Sequence, residues 1–344
     1  MIGFRFIELV RIGTLGVISV LSAAWSAGVQ AQTPPPHLQQ YFGPVKQDPA
    51  FDWVDRIARS ARELPYAGVF VHQALDRSST SRITHVVDRQ GVEHEKVESL
   101  DGPLTEVIRR NDEMICYQPS SKTIKVERRV SGRFFPGLIT ANARTIAENY
   151  HARLGPVERV AGHECQWVIL EPKDALRYMQ KLCAELGTGL LLRAQMLNNR
   201  QQVIEQFMFT QVDVSGNVAR QPIRSRFEQL QGWQREHAAR AAQALDSLWH
   251  FANVPAGFRK VMEMSRNLAG RPAPVSHMVF SDGVLNVSVF IENSSGNPIS
   301  AQAVVAEDGP TAVVTRALGD GHVTVMGEVP VAAAQVFAEG IRRR

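Results

Sequence analysis

Three cysteines and one histidine are the residues whose types and spacing best suit chemistry. Cys165 lies in the run HECQWVIL and Cys183 in LRYMQKLCAE, and the short polar turn at residues 171–174 separates the two. If the runs fold as a β-hairpin, Cys165 comes close to residue 181 or 183, with both side chains on one face. The sequence therefore predicts a Cys165–Cys183 disulfide, which needs Cα atoms within roughly 7 Å of each other. The odd cysteine count leaves Cys116 over.

A zinc site is the competing interpretation of the same residues. His163 stands beside Cys165, so one imidazole and two thiolates could approach one ion. The spacing contains no C-x-x-C or H-x-x-x-H unit, however, and such units supply most structural zinc ligands. The disulfide is favoured, and no metal site is predicted.

No motif for catalysis occurs in the chain. A G-x-S-x-G elbow, an H-E-x-x-H pair, a P-loop and a G-x-G-x-x-G turn are all absent from the sequence. The acidic pair Asp112 and Glu113 and the acids of GVEHEKVE fall on predicted turns and strand faces, where carboxylates are normally solvated. The residues predict a binding protein, not an enzyme, with no catalytic residue and no cofactor.

The first 31 residues are typical of a secretory signal peptide. Arg5 and Arg11 precede an apolar stretch, and Val29 and Ala31 fit the −3 and −1 positions that signal peptidase reads. A membrane anchor is the alternative, but the strongly apolar part, residues 12–24, is shorter than the roughly 20 residues needed to cross a bilayer. We expect cleavage after Ala31 and a soluble, exported mature protein.

The net charge of the mature chain is small. Cleavage removes two arginines and one glutamate, which lowers the formal charge from +4 to about +3. Because the basic residues are scattered, no nucleic-acid partner is predicted. The arginine run at residues 342–344 is interpreted as a solvated end, with contact to an anionic membrane surface as the alternative.

The remaining sequence divides into two modules and a connector. Residues 48–214 contain one amphipathic helix, which Pro65 ends, followed by many short strands separated by turn signals. Such spacing favours an antiparallel sheet that curls toward a barrel. Residues 215–247 are polar and read as a linker. Residues 248–344 predict a smaller β-domain that closes with a helix between Pro330 and Gly340.

An apolar group interrupts the strands of the first module. Phe134, Phe135, Leu138 and Ile139 surround Pro136-Gly137, ahead of a short helical stretch. One interpretation is a fixed cover over the open face of the sheet. The other is a movable lid over an apolar cavity that takes a lipid.

The stretch HMVFSDGVLNVSVFIE in the second module predicts a β-hairpin. Its turn is formed by Ser281-Asp282-Gly283. In the second strand Leu285, Val287, Val289 and Ile291 share one face, and polar residues share the other. We expect the apolar face to pack on the terminal helix, which leaves the other face for solvent or a partner.

The order of these segments resembles the MucB/RseB family of periplasmic regulators of an envelope-stress sigma factor. The similarity rests on YAGVFVHQ, ESLDGPLTEVIRRNDEMICYQP, RVAGHECQWVILEPKDALRYMQKLCAELGTGLLLRAQMLN, EQFMFTQV, VPAGFRKV, HMVFSDGVLNVSVFIE and HVTVMGEVPVAAAQVFAEGI. No single motif is diagnostic. The resemblance implies an α+β, mostly antiparallel β-fold: a half-open, lipoprotein-carrier-like barrel followed by a smaller C-terminal β-domain with a terminal helix.

The resemblance also implies a function and a compartment. Such a protein binds the periplasmic domain of a membrane anti-sigma factor (of the RseA/MucA type), protects it from regulated proteolysis, and releases it when lipopolysaccharide or another lipid signals stress. We accordingly expect Phe280 and Phe290 to help dock the partner, and the apolar group of the first module to line a lipid cavity. A periplasmic lipid or lipoprotein carrier is the alternative function, an enzyme acting on envelope polymers is the third, and a homo-oligomer stays open.

Overall fold

The computed structural model describes residues 48–128, 135–215, 218, 223–227, 230–237, 249–266, 273–293, 304–319 and 321–343. The predicted signal peptide, residues 1–31, lies outside these ranges and stays a prediction. Within the described ranges, no helix combines the length and apolar character needed to span a membrane.

Helix α1 (Pro49–Glu63) begins and ends at signals that the sequence carries. The Asp48 carboxylate accepts a hydrogen bond from the Ala50 amide at 3.0 Å, and Pro49 occupies the first helical turn. The helix stops at Leu64, which is extended because it precedes Pro65. Its buried stripe includes Val54 and Ile57, so α1 covers the sheet that follows it.

The first sheet has twelve strands in the order β12-β6-β5-β4-β3-β2-β1-β11-β10-β9-β8-β7. Neighbours from β1 to β11 pair antiparallel, and β1 joins the two halves by pairing with both β2 and β11. Over the described residues the sheet does not close, since β12 and β7 are its outer strands. Its strands are β1 (Tyr66–Ala74), β2 (Arg77–Val87), β3 (Glu93–Ser99), β4 (Glu106–Arg110), β5 (Glu113–Gln118), β6 (Thr123–Arg128), β7 (Tyr150–Val160), β8 (His163–Pro172), β9 (Met179–Glu185), β10 (Leu191–Leu197), β11 (Val203–Asp213) and β12 (Gln234–His237).

Part of the predicted connector adds to this sheet. Strand β12 lies within residues 215–247 and pairs parallel with β6, from Gln234 opposite Thr123 onward. Nearby, Phe227 and Trp233 pack on the Tyr117 ring with centroids 5.9 and 6.5 Å away. Aromatic side chains in an otherwise polar stretch make these contacts, and they place residues 223–227 and 230–237 against the first sheet.

The second sheet has six strands in the order β14-β15-β16-β19-β18-β17, all antiparallel. Helix α3 (Val331–Gly340) packs on β16, β18 and β19, and the apolar face of the hairpin is buried with it. The α+β, mostly antiparallel architecture with a terminal helix is therefore confirmed. The strands are β14 (Arg259–Arg266), β15 (Val275–Ser281), β16 (Asn286–Asn293), β17 (Val304–Asp308), β18 (Thr311–Leu318) and β19 (Gly321–Gly327), and β13 (Trp249–Phe251) pairs with β20 (Ile341–Arg343) as a separate two-stranded sheet.

One continuous apolar core runs through both sheets. It includes Ile57 of α1 and Ile83 of β2 in the first module, and Val287 of β16 and Phe337 of α3 in the second. The tip of the β15–β16 hairpin lies where the two parts of this core meet.

Candidate functional site at the junction of the two sheets

The hairpin turn inserts a carboxylate into the first module. Asp282 accepts hydrogen bonds through Oδ2 from the Tyr150 hydroxyl at 3.0 Å and from Arg177 Nε at 2.7 Å. The side chains of Arg177 and Asp282 are both 0% exposed. A buried ion pair is costly to desolvate, and breaking it by removing one partner is costlier still. The pair therefore ties the two sheets together in this conformation.

Arg177 is the centre of this junction. Its guanidinium also donates to the Asp174 carboxylate and to the backbone carbonyl of Ala256, and it lies 4.8 Å from the centroid of the Phe258 ring. Burial opposes the charge, but Asp282, with Tyr150 and Asp174, outweighs it and raises the pKa of Arg177. Arg177 thus stays cationic and binds groups from both modules at once.

Tyr150 stays neutral at the same place. Burial, and after it the Asp282 charge, raise the pKa of Tyr150 well above its ordinary value. The phenol therefore keeps its proton and donates a hydrogen bond to Asp282 over the whole physiological pH range. The junction holds a fixed set of donors and acceptors, which suits a structural or conformational role rather than proton transfer.

Gly283, next in the turn, touches the segment that the sequence predicts to be a cover or a lid. Its carbonyl accepts hydrogen bonds from the Thr140 amide at 2.9 Å and the Thr140 hydroxyl at 3.2 Å. Its φ is +93°, and a Cβ built there would lie 2.1 Å from the Cβ of Ala141. Only glycine fits, because both the backbone angle and the close approach exclude a side chain.

The other end of this segment is held by the first module. Helix α2 (Ala143–Ala147) begins at Asn142, whose side chain accepts from the Thr145 amide at 3.0 Å. The Ala143 amide donates to Asp55 of α1 at 2.7 Å. Residues 140–143 therefore bridge α1 and the hairpin turn, so a movement of the hairpin turn relative to α1 must break or shift these hydrogen bonds.

The predicted cavity residues are packed rather than exposed. Phe134 lies outside the described residues. Phe135 is 1% exposed, with its ring centroid 5.4 Å from Phe70, 5.6 Å from Phe207 and 4.9 Å from Phe209. Ile139 is also buried, and Leu138 is half-buried against the same core. This is the arrangement of the cover interpretation, and the opening of a lipid cavity at these residues stays a prediction.

The two predicted docking residues lie on opposite faces of the second sheet. Phe280 is 3% exposed and packs on Phe251 and Phe337, with centroids 4.6 and 5.1 Å away. Phe290 is half-buried on the other face and stacks on His277 at 4.2 Å. Phe280 therefore supports the sheet from within, whereas Phe290 lies on the face that α3 does not cover.

The structure contains the predicted disulfide. Cys165 and Cys183 are bonded, with Cα atoms 5.3 Å apart, and both are fully buried. In the β8–β9 pair Cys165 lies opposite Glu185, and Cys183 lies opposite Trp167, so the two cysteines are diagonal neighbours. Cys116 takes part in no disulfide. Bonded sulfurs supply no thiolate, so the disulfide excludes the zinc alternative at His163 while it is intact.

Sequence reasoning missed the residues that hold the junction. The sequence places Asp282 only in the turn, and no motif singles out Arg177 or Tyr150. The one available signal is Arg177 itself: it stands between Leu176 and Tyr178, just before a strand, and a basic residue that is buried requires an acidic partner.

Both parts of the chain match one protein family. The MucB/RseB N-terminal domain matches residues 49–238, and the MucB/RseB C-terminal domain matches residues 243–342. The chain belongs to the MucB/RseB family. The family consists of regulatory binding proteins, which confirms the prediction that the chain is not an enzyme.

Individual members of the MucB/RseB family align along nearly their full length. The sigma factor AlgU regulatory protein MucB of Pseudomonas aeruginosa is 30% identical over 85% of this chain and 90% of its own. The sigma-E factor regulatory protein RseB of Haemophilus influenzae is 21% identical over the same shares, 85% and 90%. A solved MucA/MucB complex of Pseudomonas aeruginosa matches with a TM-score of 0.67 at 28% identity, over 86% of this chain and 99% of that one.

Proposed function

We propose that this protein is a periplasmic regulator that binds the periplasmic part of a membrane anti-sigma factor, protects it from regulated proteolysis, and senses lipid-like envelope-stress signals. The observation that carries the proposal is the likeness to MucB in complex with the periplasmic part of MucA, with a TM-score of 0.66 over 86% of this chain. The presence of both family domains supports it further.

The proposed protection works by competition. While the regulator occupies the segment that the protease must bind, cleavage proceeds only from the unbound fraction of the anti-sigma factor. At a free regulator concentration about ten times Kd, the unbound fraction is about one tenth. A lipid can relieve this only if it binds better to the conformation that does not hold the anti-sigma factor.

The junction supplies a physical route between the two ligands. A lipid chain that enters the first module where Phe135 packs must displace residues 135–140. Thr140 would then lose its hydrogen bonds to Gly283, and the hairpin that carries Phe280 and Phe290 would lose an anchor. We assign lipid sensing to the first module, residues 48–214, and partner docking to residues 248–344, with residues 215–247 between them.

Calorimetry on the mature chain, residues 32–344, tests the proposal. Titration with the periplasmic segment of the anti-sigma factor from the same genome should give micromolar or tighter binding, and added lipopolysaccharide should weaken it. Phe135→Ala, which removes the proposed entry residue, should reduce the effect of lipid more than the binding of the partner. Uptake of lipid without any partner binding would reject the proposal in favour of a carrier.

A further inference from the structure

Among the residues that the structure describes, the two large sheets are open, so each ends in two strands that other chains could extend. Three of these four outer strands have features that discourage pairing. Strand β7 contains Pro156 and a bulge between Leu154 and Val157, and β14 has a bulge between Lys260 and Met262. Strand β12 is only four residues long and already pairs parallel. Prolines, bulges, lysines and short length are the usual protections of sheet edges.

Strand β17 has neither proline nor lysine nor bulge, and its protections are its five-residue length and the two acidic side chains Glu307 and Asp308. It pairs with β18 in unbroken register from Val304 opposite Thr315 to Asp308 opposite Thr311, and it contains no proline or basic residue. All five of its residues are exposed. Val304 and Val305 are 62% and 46% exposed. Because adjacent strand residues point to opposite faces, the two valines lie on different faces of the sheet. Each face of this edge therefore presents one exposed valine together with one acidic side chain, Asp308 on the Val304 face and Glu307 on the Val305 face.

The backbone groups that face outward can be identified from the turn. The two-residue loop Gly309-Pro310 joins β17 to β18, and Gly309 has φ +64°, as the first position of a type II′ turn requires. In such a hairpin the residues that flank the loop form a hydrogen-bonded pair, and every second pair along the strands repeats it. Asp308, Ala306 and Val304 therefore bond to β18, whereas the amides and carbonyls of Val305 and Glu307 point away from the sheet.

We propose that β17 accepts an extended segment of the anti-sigma factor as a seventh strand of the second sheet, an inference that rests on the proposed function. The edge determines the chemistry of that segment: apolar side chains against Val304 and Val305, and a lysine or arginine against Glu307. Asp308 already forms an ion pair with Arg77 of the first module. The added strand would therefore lie beside the first module, where a change in that module can reach it.

Hydrogen exchange and calorimetry on the mature protein test this assignment. The Val305 and Glu307 amides should exchange fast in the free protein and slow down when the anti-sigma segment binds, while the Ala306 amide stays protected throughout. Val305→Pro removes one outward N–H, which an edge strand tolerates. It should weaken binding about tenfold or more, because strand addition depends on main-chain hydrogen bonds.

Val305→Thr is the matched control, since it keeps the N–H and the branched side chain, and its affinity should stay within about twofold of wild type. If altered far-UV circular dichroism shows that Val305→Pro disturbs the fold, Glu307→Pro serves as the second variant. It blocks the other outward amide and should cause the same loss of affinity. Tight wild-type binding that neither proline weakens overturns the edge assignment and leaves the proposed function standing. Absence of wild-type binding overturns both the edge assignment and the proposed function. If protection of the Val305 and Glu307 amides depends only on protein concentration, the edge pairs with a second copy of this chain, and the edge assignment is overturned.

Discussion

Replacing Asp282 with asparagine removes the charge at the centre of the junction and keeps the size of the side chain. In the wild type, Oδ1 accepts from the Val284 and Leu285 amides at 2.9 and 2.8 Å, and an asparagine carbonyl can preserve both bonds. An amide nitrogen in place of Oδ2 would instead face two donors, Arg177 and Tyr150. The substitution therefore acts on the contact between modules rather than on the turn.

The expected loss is about 3 kcal/mol. Hydrogen bonds to charged groups contribute about 1.5–3 kcal/mol each, and removing one partner of a buried ion pair costs about 3–5 kcal/mol. Asp174 remains beside Arg177 and compensates part of its charge, which places the estimate at the lower end of that range. Because Asp282 and Arg177 belong to different modules, the loss should appear first as weaker docking of the two sheets.

Urea unfolding and amide exchange measure both consequences. Asp282→Asn should lower the unfolding free energy and speed exchange of the Thr140 amide, which bonds to Gly283. Glu171→Gln is the control: it breaks the exposed Arg153–Glu171 pair and should cost less than about 0.5 kcal/mol.

Two results would refute this reasoning. One is an unfolding free energy for Asp282→Asn within about 0.5 kcal/mol of wild type, with Thr140 exchange unchanged. The other is strict additivity with Arg177→Gln in a double-mutant cycle, because residues in direct contact should show a coupling energy.

Three further predictions concern the same fold. The raised pKa of Tyr150 contributes stability that is complete below about pH 10 and is lost as the pH rises further. Tyr150→Phe should therefore make the unfolding free energy fall less steeply above pH ~10. Equal slopes for the two proteins would contradict this. Gly283→Ala should lower the unfolding free energy, measured by thermal unfolding, by about 2 kcal/mol or more. Gly91→Ala is the control: its φ is +78° with open space around it, so it should cost only about 1 kcal/mol. Equal costs would show that the contact between residue 283 and Ala141 is relieved. Reduction of Cys165–Cys183 should lower stability by about 3 kcal/mol in urea unfolding, and reductant should have no effect on the variant with alanine at both positions.

The sequence predicts those parts of the fold that depend on local pattern. Alternation in residues 285–292 indicates a strand with one buried face, and the Ser281-Asp282-Gly283 signal places the turn. Both features follow from side-chain direction and backbone preference within a few residues. The disulfide is predicted for the same reason, although the register places Glu185 rather than residue 181 or 183 opposite Cys165.

The junction could not be predicted, because it depends on which surfaces meet. An aspartate in a tight turn is normally solvated, and nothing adjacent to Asp282 indicates that Tyr150 and Arg177 will bury it. Strand β12 could not be predicted for the same reason, because the polar sequence around Gln234 pairs with β6 only after β6 has formed the edge of the sheet. Long-range pairing of this kind leaves no periodic trace in the chain.

The measurement that tests the central claim most directly is cleavage of the anti-sigma factor's periplasmic segment by its protease, with and without this protein. With the mature protein at about ten times Kd, the cleavage rate should fall to about one tenth, and lipopolysaccharide should restore it. An unchanged cleavage rate under conditions where calorimetry shows the segment to be bound would contradict the account.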